Sequence, residues 1–265
     1  MTGPQYITDA AALFKFNHRH TMNNVLTKEF FLVAGEADAQ CELPLTTLAM
    51  RLIEVASLHA NHLGFGHAEM APHNLGWVLS RLSVEMIHYP AINRAYSIST
   101  WIEGWNRHYS ERVFEIRDVA SDTVLGYART IWMVIDTEQR TGATTESMAF
   151  TPNMIAPREC PMPSMRRIPV VKPDAEGATV TPYTYRYSDI DFYRHVNTTK
   201  HIRTIIDTCG MELMDRCRIA RADFAFMNEG HYDETVRICR LGDIWRVIGS
   251  DDRTILTARL SFAPR

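Results

Sequence analysis

Between Thr46 and Leu63 the apolar residues Leu48, Leu52, Val55, Leu58 and Leu63 fall at helical spacing, with Thr46 as a candidate cap and Gly64 and Gly66 as stop signals. The segment before it, Thr27 to Val33, reads as a strand. After it, Gly76 to Tyr89, Tyr96 to Trp105, Tyr109 to Asp118 and Val124 to Asp136 are rich in Val, Ile, Trp and Tyr, and turn signals such as Tyr89 to Asn93 and Ala120 to Asp122 separate them. Four more strands are predicted there. The same order then recurs. Thr179 to Tyr187 reads as a strand and Val196 to Cys209 as a helix with Ile202, Ile205, Ile206 and Cys209 on one face. Ile219 to Met227, Glu234 to Leu241, Ile244 to Gly249 and Thr254 to Phe262 follow as strands.

Each half is therefore predicted as strand, helix, four strands. A repeat of roughly 130 residues is too long for a solenoid and indicates two copies of one domain packed together. An antiparallel sheet with one apolar face, covered by a central helix that it wraps, is an α+β solution to burial. Between the copies apolar periodicity fades and prolines accumulate at 152, 157, 161, 163, 169 and 173. The expected organisation is an N-terminal domain over 1–140, a proline-rich linker over 141–178 and a C-terminal domain over 179–265.

Composition narrows the function classes. The chain has 265 residues, 46% of them hydrophobic, and a net charge of −3. That is enough for a sizeable core, and it argues against a general nucleic-acid binder, which carries a strongly basic face. No apolar run approaches the ~18 residues of a membrane span. The N-terminus, MTGPQYITDAAALFKFNHRH, lacks a signal-peptide or transit-peptide pattern, so a cytoplasmic protein is expected. The five cysteines, 41, 160, 209, 217 and 239, contain no C-x-x-C, so reduced thiols are expected rather than a disulfide framework or zinc knuckle. Positive charge is almost all Arg, the better bidentate partner for carboxylates and phosphates.

The densest chemistry lies at the start of the second predicted helix, where Asp189, Asp191, His195 and Asn197 fall within nine residues. A helix N-terminus offers unpaired N–H groups and partial positive charge, which suits a developing oxyanion. A carboxylate there serves as nucleophile or as base toward water, with His195 as partner of Asp191. The plainer reading makes Asp189 or Asp191 a helix cap and Asn197 a first-turn residue. Elsewhere signals are weaker. His59 and His62 lie three apart with no third metal ligand, so no metal or cofactor is expected. Gly64-Phe65-Gly66 is a helix stop, and no G-x-S-x-G, H-E-x-x-H or P-loop occurs.

The run D-x-D-x-x-x-H-V-N-x-x-K, here Asp189, Asp191, His195, Val196, Asn197 and Lys200, resembles the active-site segment of acyl-acyl carrier protein thioesterases, whose plant members read D-L-D-V-N-Q-H-V-N-N-V-K-Y. Trp77 to Leu82, Tyr89-Pro90, Thr100-Trp101 and Arg129 to Asp136 resemble that family's first-domain strands in order and spacing. The resemblance covers nearly the whole chain. It implies two tandem hotdog domains, each a long central helix wrapped by an antiparallel sheet, with the first supplying most of the acyl-chain cavity.

Carried over by motif, the family's catalytic Asp falls on Asp191 and its His on His195, and its conserved acid, 34 positions after the His, falls on Glu229. Two positions depart from the family. Tyr193 stands where the family has Asn, and Gly230 where plant enzymes have Cys, so a Cys nucleophile is unavailable and a carboxylate mechanism is favoured. The Tyr193 hydroxyl or the Asn197 amide is then left to orient Asp191.

The implied reaction is hydrolysis of a fatty acyl thioester on acyl carrier protein, with oxyanion donors at the backbone N–H groups of Val196, Asn197 and Thr198. Arg194, Lys200 and Arg203, with Arg216, Arg218 and Arg221, are candidate contacts for the acidic carrier; the alternative for them is a solvated charged face. The segment before the first helix, Asp38 to Pro44, lacks an acid-His pair, so one active site per chain is expected. An acyl-CoA thioesterase, a hotdog 3-hydroxyacyl dehydratase or hydratase, and a non-catalytic acyl-binding module stand as alternatives. A fused pair of hotdogs is compatible with a monomer or a homodimer.

Overall fold

The computed structural model describes residues 20–21, 24–147 and 151–265. The first nineteen residues, which carry most of the segment read for targeting signals, lie outside the described residues. In the first half β1 (His20–Thr21) and β2 (Val25–Phe31) precede α1 (Leu45–Leu63), and the single-turn α2 (His67–Met70) leads into β3 (Leu75–Met86). β4 (Ala95–Trp105), β5 (Tyr109–Asp118), β6 (Val124–Asp136) and the short β7 (Thr141–Gly142) complete it. The second half runs β8 (Thr179–Thr184), α3 (Thr198–Ile206), α4 (Met211–Arg216), β9 (Cys217–Phe226), β10 (Thr235–Leu241), β11 (Ile244–Ile248) and β12 (Thr254–Pro264).

Both halves share one antiparallel sheet, ordered β1-β2-β4-β5-β6-β3-β9-β12-β11-β10-β8, with β7 on β6. From β2 to β8 this order is a palindrome. β2, β4, β5, β6 and β3 on one side mirror β8, β10, β11, β12 and β9 on the other, so the halves are related by a pseudo-two-fold axis through the β3–β9 seam. The seam pairs Arg81 with Ala225 and Glu85 with Arg221. Alternation puts Ala222 and Phe224 toward the helices, while Arg221 faces the opposite side and bonds Glu85 at 2.9 Å.

The expected α+β plan of strand, helix and four strands is present in each half, but the two helices are unequal. α1 runs 19 residues and buries Leu48, Leu52 and Val55. Its N-cap is Pro44 rather than Thr46, because the fixed proline φ of −59° already sets the entry to the helix. Gly64 ends it with φ +82°, as a glycine stop should. α3 has only nine residues, not the long helix expected from Val196 to Cys209. Val196 is held in an isolated bridge to Ile190, Asn197 caps the helix, and Gly210 at φ +77° turns the chain into α4.

The proline-rich stretch contains short 3-10 turns but is packed, not free. Ile155 bridges Ile102 at the edge of β4, and beyond it the stretch lies on the sheet face away from the helices, where Ala156, Cys160 and Met162 cluster with Trp101 and Val113. Arg129 donates to the carbonyls of Met162 and Cys160, and Val171 packs on Cys239 and Ile248 of the second half. Among the described residues no helix is long and apolar enough to cross a membrane.

Candidate active site

The segment entering α3 is pinned from beneath by Asp189. This buried carboxylate accepts from the Arg186 N–H at 2.8 Å, the Tyr183 hydroxyl at 3.0 Å and Arg203 Nη2 at 2.7 Å. Burial pushes its pKa up, but the three donors outweigh burial and hold it below the usual carboxylate value. Asp189 thus fixes the loop, and Arg203 is spent on doing so.

From that anchor the loop closes on itself. The Asp191 N–H donates to the His195 carbonyl at 2.8 Å, and Asp191 Oδ1 accepts from the backbone N–H groups of Tyr193 at 2.9 Å and His195 at 3.3 Å. Arg194, at the tip, takes φ +66° to complete the turn. Asp191 is therefore oriented by main-chain donors, not by the Tyr193 hydroxyl or the Asn197 amide. The hydroxyl reaches His67 Nδ1 at 3.5 Å, and Asn197 Oδ1 caps α3 by accepting from the Thr199 N–H at 2.9 Å. A backbone solution is invisible to a search for side-chain partners, which is why the sequence did not show it.

The hydrogen bonds between His195 and Asp191 run through the His195 backbone, and the ring has other partners. Its Nε2 lies 3.3 Å from Glu229 Oε2, so the acid placed 34 positions downstream does meet the histidine. Arg140, from the turn between β6 and β7, joins them: its Nη2 is 3.0 Å from His195 Nε2 and pairs with Glu229 Oε2. His231 stacks edgewise on His195 with ring centroids 5.6 Å apart. Arg140 and His231 were missed in the sequence. Arg140 comes from the other half and its φ of +56° was the only local oddity, one no sequence pattern announces. His231 lies two residues beyond Glu229, and its proximity to that acid was the available signal.

Two expectations need correction. Two of the three proposed oxyanion donors are committed: the Val196 N–H bonds the Gly230 carbonyl at 2.9 Å and the Asn197 N–H bonds the Asp189 carbonyl at 2.8 Å. Thr198, at the first position of α3, is left of that set. Arg216, Arg218 and Arg221 are not beside the loop, because β9 runs roughly 30 Å between its start and the Glu229 end at ~3.3 Å per residue. Arg216 pairs with Glu212, Arg218 donates to the Pro264 carbonyl, and Arg221 bonds Glu85 and Asp223. Arg194, exposed at the loop tip, and Lys200, in the first turn of α3, do flank it.

Gly230 leaves no room for a side chain. A β-carbon there would lie 2.9 Å from His201 Cε1, 3.0 Å from Val196 Cγ2 and 3.1 Å from Tyr185 Cε2. In the first half, a cavity of about 40 Å³ under α1 is lined by Ala56, Ala60, Phe65, Trp77, Arg112 and Trp132. His59 is not a ligand in waiting; it is buried against the Arg112 guanidinium. Among the described residues no group of three or more His, Cys, Asp or Glu side chains is placed to hold a metal.

Comparison with known proteins agrees along the chain. The model of the acyl-ACP thioesterase N-terminal domain matches residues 23–147, and that of the C-terminal domain matches residues 172–255. The oleoyl-acyl carrier protein thioesterase of Coriandrum sativum is 26% identical over 232 residues, covering 82% of this chain and 62% of that protein. The palmitoyl-acyl carrier protein thioesterase of Arabidopsis thaliana is 22% identical over 243 residues, covering 88% and 58%. The chain thus spans about six tenths of the length of these curated relatives. Among solved structures, an acyl-ACP thioesterase from Bacteroides thetaiotaomicron superimposes with a TM-score of 0.83 at 26% identity, covering 91% of this chain and 98% of that one. The 12:0-ACP thioesterase from Umbellularia californica shares the fold at a TM-score of 0.77 and 19% identity, covering 93% and 100%.

Proposed function

The chain belongs to the acyl-ACP thioesterase family, with its tandem hotdog fold, and from that premise we propose that it hydrolyses a fatty acyl thioester on acyl carrier protein to free fatty acid and carrier thiol in fatty acid synthesis. The observation that carries this reading is the meeting of His195 Nε2 with Glu229 Oε2 beside a main-chain-oriented Asp191.

With Oδ1 held by two N–H donors, Asp191 presents Oδ2 to the attacking water. Glu229 positions His195, which takes a proton from water and returns it to the leaving sulfur as the C–S bond breaks and the new C–O bond forms. Charge on the carbonyl oxygen is met by the Thr198 N–H and by Arg140, which already lies within hydrogen-bond reach of His195. Residues 1–140 form the acyl-holding unit in this reading, 179–265 the catalytic unit and 141–178 the join. Arg194 and Lys200 are the basic groups beside the loop, suited to the acidic carrier and the phosphate of its pantetheine arm.

Measuring free thiol from a panel of acyl-carrier substrates tests this. Asp191→Ala and Glu229→Ala are each expected to lower kcat by roughly 10²- to 10⁴-fold. Full activity in Asp191→Ala would overturn the mechanism, and an intact protein that releases no thiol but hydrates an enoyl thioester would overturn the reaction class.

A further inference from the structure

The chain enters each central helix through the same loop. Residues 38–43 repeat the hydrogen bonds of residues 191–196 one for one. The Asp38 N–H donates to the Glu42 carbonyl at 2.9 Å, as Asp191 does to His195 at 2.8 Å. Asp38 Oδ1 accepts from the N–H groups of Gln40 and Glu42, both at 3.0 Å, as Asp191 Oδ1 does from Tyr193 and His195. Cys41 takes φ +60° where Arg194 takes +66°. The Leu43 N–H bonds the Pro90 carbonyl at 2.9 Å, as Val196 bonds Gly230.

The contacts across the halves repeat as well. Gln40 Nε2 donates to Asp215 Oδ1 at 2.9 Å where Tyr193 meets His67, and Arg265 bonds Glu42 Oε2 at 2.7 Å where Arg140 meets His195 and Glu229. Only the chemistry differs. Glu42 stands in the place of His195 and Tyr89 in the place of Glu229, with the Tyr89 hydroxyl committed to the Ile219 carbonyl at 2.9 Å. This loop keeps the carboxylate and its scaffold but has no imidazole to move a proton to sulfur.

The first loop also opens onto a groove of about 410 Å³, within the ~300–1,000 Å³ range of ligand pockets. Pro44, Leu45, Ile206, Met211, Met214 and Ile219 give it apolar walls, and methionines adapt to a flexible chain. Its two arginines are paired within the protein, Arg265 with Glu42, and Arg203 with Asp189 at 2.7 Å and Asp207 at 3.9 Å, and Asp38 Oδ1 is held by two backbone N–H groups. An anionic ligand would have to break one of these pairs. A slender, uncharged chain of methylenes and amides would not.

We propose that this groove is a second binding site, which takes the acyl-pantetheine arm of a thioester and holds it uncleaved. The proposal rests on the thioesterase reading, since the ligand class is inferred from the twin loop that performs the hydrolysis. The probe is an acyl-pantetheine in which a methylene replaces the thioester sulfur. Binding stoichiometry is counted by native mass spectrometry or equilibrium dialysis on the whole chain, alongside inhibition of thiol release. Wild type is expected to take up two equivalents. Met214→Trp fills the groove and is expected to take up one, with kcat unchanged; Met211→Trp, at the exposed rim, is the second variant should the first fail to fold. One equivalent in wild type with inhibition intact would overturn the second site alone. Two equivalents persisting in both folded variants would do the same by placing the extra ligand elsewhere. No uptake and no thiol release would overturn the catalytic reading together with it.

Discussion

Position 230 is crowded on every side that a β-carbon would face. With three side chains within about 3 Å of the place a Cβ would occupy, a thiol at this position has to displace His201, Val196 or Tyr185. Gly230→Cys is expected to cost about 1–3 kcal/mol of stability through overpacking, read by urea denaturation, and to bring no gain in turnover. A variant as stable as the parent would show that the space can adapt. The acid-histidine pair was legible in the sequence because its members keep family spacing. Arg140 was not, since it reaches His195 across the pseudo-two-fold axis and no local pattern around it encodes that reach.

At the scale of elements, the short α3 depends on its cap more than α1 does. Nine residues are marginal for a helix in water, and Asn197 supplies the acceptor for the Thr199 N–H while its own N–H closes onto Asp189. Asn197→Ala is expected to lower stability by about 1 kcal/mol, measured by thermal or urea unfolding, and to lower kcat as well because the same residue joins the loop to the helix. An unchanged unfolding midpoint would refute the cap's role. Strand positions were readable from alternation and β-branched content. The start of α3 was misplaced by two residues because Val196 fits the helical apolar stripe yet is taken by a bridge to Ile190, a tertiary contact that periodicity does not carry. Capping was half legible: the residue types were there, but Asn197 is the cap and the two aspartates hold the loop.

For the whole molecule, each half buries one histidine in its helix, and this sets the acid response. Burial pushes His201 down to about 4, and burial with the neighbouring Arg112 cation pushes His59 down to about 2. Both native values lie below the unfolded ~6.5, so as pH falls through that value the unfolded chain takes up protons that the native one refuses, and stability drops. His201 alone accounts for about 2 kcal/mol of loss between pH 7 and pH 5. Asp189 and Glu234, whose pKa values are lowered, give up their contributions only further down, below the usual carboxylate range. Urea titrations at pH 7, 6 and 5 should therefore show His201→Gln with a flatter fall than the parent; an identical slope would show that His201 does not drive it. The repeat of strand, helix and strands was legible in the sequence, whereas the fusion of both sheets at β3 and β9 was not, because strand pairing between halves leaves no trace in either half's pattern.

That seam has a consequence for how the two halves can change. In a pair of identical subunits every substitution is made twice, so a residue that improves one copy of a loop must be tolerated in the other. Here both copies lie in one chain, and the positions occupied by Glu42 and His195 vary independently on a shared frame. One loop carries an imidazole and the other a carboxylate while the hydrogen bonds that shape both stay the same.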